Sequence, residues 1–118
     1  MHSINYWLYR FKYLYGRHLR LDKPIDISLE LSSLCNMHCG YCYHADKKNL
    51  PFKMNFMSWD TAKKILLEAK DLSVASVKMN WRGESTLNPA FYHVCALAKQ
   101  LADKRTFIDR LTNSNFKF

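Results

Sequence analysis

A chain of 118 residues is long enough for one domain with a real core and too short for two. Charges interrupt every hydrophobic run, which excludes a membrane-spanning segment from the sequence. The formal net charge of +8 reads first as a solvated basic surface, with an anionic partner such as RNA, a membrane surface or a phosphorylated substrate as the alternative.

Residues 1–23 form a basic N-terminal unit. Ile4, Trp7, Leu8, Phe11, Leu14 and Tyr15 share one stripe, which predicts an amphipathic helix over residues 4–15 that stops at Gly16. Arg10, Lys12 and Arg17 lie off the stripe. The aromatic face is expected to pack on the rest of the fold, with a membrane surface as the alternative. Basic residues interleave with aromatics here and do not precede an apolar stretch, so the segment lacks the pattern of a signal peptide. A cytoplasmic location is the expectation, and reduced thiols follow from it. Clustered cysteines in that setting bind metal more often than they pair.

Residues 24–118 read as one α/β unit. After Pro24, Ile25, Ile27, Leu29 and Leu31 alternate with Asp26, Ser28 and Glu30, the signature of a strand. A cysteine-rich loop and a polar connector lead to Ser58, a cap for a helix from Trp59 to about Lys70. Its apolar face is Trp59, Ala62, Ile65, Leu66 and Ala69. A second strand runs through residues 74–80. Asn88 and Pro89 then open another helix, with Phe91, Val94, Cys95, Ala98, Leu101 and Ala102 on its stripe. Cys95 is expected to be a small core residue. A third strand is expected over residues 106–111. Strands that alternate with helices of about a dozen residues imply parallel pairing and right-handed crossovers.

In such a unit, functional groups gather on the loops after the carboxyl ends of the strands. Three stretches should meet there: residues 34–44, residues 81–85 and residues 112–115. The first holds Cys35, Cys39 and Cys42, spaced C-x3-C-x2-C. Iron–sulfur cubes are normally held by four thiolates, so three would leave one iron open.

With these residues the chain resembles the radical S-adenosylmethionine enzymes. The cysteine spacing matches the family signature, and Tyr41 fills the aromatic place before its last cysteine. Arg82-Gly83-Glu84 resembles the family's Gly-Gly-Glu stretch, with Arg82 in place of the first glycine and Ser85 in place of a common proline. Thr112-Asn113-Ser114 resembles its Thr-Asn-Gly. The likeness spans residues 25–115.

That resemblance implies a 4Fe–4S cluster on Cys35, Cys39 and Cys42, with S-adenosylmethionine chelating the open iron. Tyr41 would lie near the adenine. The backbone of Arg82 and Gly83 and the Glu84 carboxylate would hold the methionine amino group, with Asn113 also at the cofactor. Reductive cleavage, fed by an electron donor such as a flavodoxin or ferredoxin, would yield a 5′-deoxyadenosyl radical for hydrogen abstraction. Peptide or protein maturation and cofactor biosynthesis are the implied settings, and RNA modification stays open through the basic helix. The implied fold is the first half of a partial (β/α)6 barrel, expected to be truncated at the C-terminus, since six units need roughly 190 residues.

Other readings of the same residues remain. A Cys3His zinc site could take His38 or His44 as its fourth ligand, giving a binding module whose basic helix contacts RNA or a membrane surface. Tyr41 could pack beside the loop, Glu84 could be a surface carboxylate and Asn113 a turn residue.

Overall fold

A computed structural model describes residues 4–16, 18–19, 21–42 and 53–101. Their elements, in order, are α1 (Ile4–Tyr15), β1 (Asp26–Ser28), α2 (Trp59–Asp71), β2 (Ser76–Lys78), a 3-10 turn (Ser85–Leu87) and α3 (Phe91–Leu101). The expected third strand lies outside the described residues, as do His44, Ala102 and Asn113.

The two strands pair in parallel, with Asp26 opposite Ser76, Ile27 opposite Val77 and Ser28 opposite Lys78. Backbone bonds from Ala75 N–H to Ile25 O (3.0 Å) and from Leu29 N–H to Lys78 O (2.7 Å) carry the pairing past the strand ends. Strand, helix and parallel strand follow one another as the alternating pattern predicts.

Helix α2 forms where periodicity and caps agree. Ser58 is extended, and its Oγ accepts the Thr61 N–H at 3.2 Å. Asp60 in the first turn and Lys70 in the last complement the helix dipole. At the other end, Ser73 takes φ +55°, the left-handed conformation that glycine usually supplies. Its N–H reaches Lys70 O (2.8 Å) and the Val74 N–H reaches Ala69 O (2.9 Å), a closure of the Schellman type without glycine.

Ala62 and Leu66 of α2, Val94 and Ala98 of α3, and Leu29, Leu31, Val77 and Met79 from the strand segments make one buried cluster. Ile65, Phe91, Cys95 and Leu101 pack partly against it, whereas Trp59 remains exposed. Asn88 joins the pieces. Buried at 4% exposure, it donates through Nδ2 to Leu31 O (2.6 Å) and Met57 O (2.9 Å), while its Oδ1 accepts the Ala90 N–H (2.8 Å).

Two expectations need correction. The first strand is three residues long and not seven, because a returning segment captures its distal half. Met57 N–H donates to Leu31 O (2.9 Å), and Ser32 forms an antiparallel bridge with Phe56. Nor does the aromatic stripe of α1 pack on the fold. The helix docks through its other face, where Tyr9 is buried and Tyr6 half-buried. What it meets there is polar: Lys78 Nζ sits 2.9 Å from Asp26 Oδ2 and 5.6 Å from the centre of the Tyr13 ring. Such an ion pair suits tyrosine π-faces better than an aliphatic stripe.

Candidate metal and cofactor site

The cysteine loop leaves the sheet at Leu31, and residues 31–34 form its root. That root is gripped from two sides. On one side the connector returns: Ser33 N–H donates to Asn55 O (3.0 Å), and Asn55 N–H donates to Ser33 Oγ (2.6 Å). On the other, the loop after β2 presses in, with Glu84 N–H donating to Leu34 O at 2.8 Å. Ser32, fully buried, closes a local turn through its Oγ, which accepts the Leu34 N–H at 3.0 Å.

Gly83 makes the second grip possible. Its φ of +68° is one that side-chain-bearing residues rarely adopt. A Cβ there would collide with Ser32 O and lie 2.7 Å from Leu34 O and 2.9 Å from the Ser33 carbonyl carbon. Only glycine lets the two loops approach so closely.

Beyond the root the loop is irregular and faces solvent. Cys35 is half-buried, whereas Cys39 and Cys42 are exposed, and all three thiols are free. The Met37 N–H points to Cys35 Sγ at 3.4 Å, and Cys42 N–H closes a turn on Cys39 O at 3.0 Å. Among the described residues no three His, Cys, Asp or Glu side chains stand close enough to hold a metal ion. The donor set nevertheless suits thiolate ligation: three reduced cysteines on one short stretch that bears no part of the sheet. Drawing the sulfurs together would alter that stretch and leave the core intact.

Tyr41 is fully exposed, and His38 is exposed as well. Arg82 is engaged by Glu30, its Nε 2.7 Å from Oε2 and its Nη2 3.2 Å from Oε1. Arg82 thus has a partner at the end of the first strand segment. Glu84 caps the 3-10 turn: its Oε1 accepts from Thr86 N–H (3.2 Å) and Thr86 Oγ1 (2.7 Å). Ser85 donates its hydroxyl to Met79 O and is buried. Cys95 lies apart from the loop, its thiol 3.5 Å from Met79 Sδ at the edge of the core.

The structure therefore brings Gly83 and Glu84 onto the root of the cysteine loop, with Arg82 beside them. Sequence reasoning missed Ser32, Ser33 and Asn55, and it saw Asn88 only as a cap. The adjacent serines just before the first cysteine were the one available signal, since short hydroxyls bond local backbone readily.

Compared with known proteins, the chain matches no family model and no curated protein sequence. None of the described helices is long and apolar enough to cross a membrane.

Proposed function

We propose that residues 24–118 belong to a partial (β/α)6 barrel of the radical S-adenosylmethionine type, with Cys35, Cys39 and Cys42 as the ligands of a 4Fe–4S cluster. One observation supports this reading above the others. The thiol loop springs from the first of two parallel strand segments, and its root is hydrogen-bonded by the loop that follows the second. Two β-to-α loops are thereby joined at the carboxyl ends of adjacent strands, where α/β proteins assemble their sites.

When bound, the cluster supplies the electron, received from a flavodoxin or ferredoxin, that splits the sulfonium of S-adenosylmethionine so that a hydrogen can be taken from substrate. The chain's own residues bind and orient. Three thiolates on one loop hold the metal while leaving a position open. The Arg82–Gly83 backbone and Glu84 take the cofactor's amino group, Glu84 through the carboxylate oxygen that Thr86 does not engage. The exposed Tyr41 would lie near the adenine, and Asn113 is a further candidate for the cofactor. The Arg82–Glu30 pair steadies the turn that carries Gly83 and Glu84.

The test is chemical. Any 5′-deoxyadenosine that anaerobically reconstituted protein releases from S-adenosylmethionine under a strong reductant should be lost in the Cys39→Ala variant, and three strand units should release little of it, because cofactor binding in such a barrel draws on loops after several strands. Release that survives Cys39→Ala contradicts the proposal.

A further inference from the structure

Helix α1 turns its large apolar side chains away from the fold. Ile4, Trp7, Leu8, Phe11, Leu14 and Tyr15 are each at least half exposed and border one shallow apolar depression. At 3.6 residues per turn the six occupy a stripe about 120° wide. By the same geometry Arg10 and Lys12 fall about 40° beyond its two edges, one on each side. No residue of the helix is acidic. In the sequence past it, Arg17, Arg20 and Lys23 outnumber the acid Asp22. The opposite face, with Tyr9 buried and Tyr13 beside Lys78, attaches the helix to the sheet.

An apolar stripe this long on a monomer's surface asks for a cover, and the flanking charge says of what kind. Two copies apposed through their stripes would bring Arg10 and Lys12 of each together, with no acid on either helix to pair them. RNA would use the cations and some aromatic rings, yet Ile4, Leu8 and Leu14 offer it nothing. An anionic lipid surface satisfies every part: aliphatic and aromatic side chains enter the acyl boundary, and the edge cations remain among the phosphates. We propose that α1 lies flat in the headgroup region of an anionic membrane and moors the α/β unit there through its tyrosine face. This inference does not depend on the metal site.

The experiment is flotation of the full chain with vesicles of phosphatidylcholine, with or without about 30% phosphatidylserine. The protein should float with the anionic vesicles and be released as salt rises. Phe11→Glu should weaken partitioning at least about tenfold, and Arg10→Gln/Lys12→Gln about thirtyfold. Phe11 and Lys12 face solvent and Arg10 is half-buried, so circular dichroism should be unchanged in both variants and melting unchanged in Phe11→Glu. Failure to float, or wild-type flotation by Phe11→Glu, overturns the proposal. So does a dimer that Phe11→Glu dissolves, which would make a second copy the cover, or RNA retention lost with the same substitution while vesicle binding is absent.

Discussion

Replacing Gly83 with alanine should damage the fold out of proportion to one methyl group. The residue sits at φ +68°, where a side chain costs about 1–2 kcal/mol. Space adds a second cost. The new Cβ would strike Ser32 O and come within 2.7 Å of Leu34 O, both backbone atoms that cannot rotate aside. Relieving the contact means drawing the two loops apart, which sacrifices the 2.8 Å bond from Glu84 N–H to Leu34 O, worth about 0.5–1.5 kcal/mol. The sum is about 2–3 kcal/mol, or a fall of about 10 °C in melting temperature for a domain of this size. Gly40→Ala is the internal control. Nothing lies within 4 Å of a Cβ there, so its change should stay within about 0.5 kcal/mol. Gly83→Asn separates the two causes, because asparagine tolerates positive φ but still carries the Cβ; it should recover part of the conformational cost and keep the loss of about 0.5–1.5 kcal/mol that the collision causes. Thermal unfolding followed by circular dichroism decides the matter. A Gly83→Ala protein that melts with the wild type would refute the close approach of the two loops.

Asn88→Ala removes two hydrogen bonds to buried carbonyls and one helix-start acceptor, and should lower unfolding free energy in urea by about 2–4 kcal/mol. Ser73→Gly relieves a left-handed serine in the α2 closure and should raise it by about 0.5–1 kcal/mol in the same assay. The pKa of Lys78 is held above its ordinary 10.5, chiefly by its hydrogen bond to Asp26. A raised folded pKa gives stabilisation that is complete below the unfolded value and lost as pH climbs through the folded one. Relative to Lys78→Met, the wild type should therefore forfeit up to about 1 kcal/mol above pH 10.5, and nothing between neutrality and that point, as read from urea midpoints across pH.

Where local chemistry and periodicity agree, the fold was legible. Ser58 and the stripe of Ala62, Leu66 and Ala69 mark α2 to within a residue, and the alternation of elements implies the parallel pairing that Asp26–Ser28 and Ser76–Lys78 make. Long-range contacts were not legible. Alternation continues through Leu31, yet the strand ends at Ser28, and the Leu31 carbonyl is taken by the Met57 N–H and Asn88 Nδ2. Amphipathicity located the stripe of α1 but could not say which face would dock, since that depends on the Lys78–Asp26 pair beneath it. At the site, the motif spacing singled out Gly83 and Glu84, but the need for glycine emerges only from the backbone of residues 32–34. Arg82 looked like a fault in the pattern until Glu30 appeared opposite it.

Cys35, Cys39 and Cys42 are proposed together to hold an iron–sulfur cube. Iron and acid-labile sulfide, measured per chain after anaerobic reconstitution and desalting, test it most directly. The account predicts brown protein with about four irons and four sulfides, their loss when the three loop cysteines are replaced by serine, and full retention in Cys95→Ser, whose thiol lies apart beside Met79. A colourless protein that binds a single zinc tightly, or one whose iron content is unaffected by removing the loop cysteines, would contradict it.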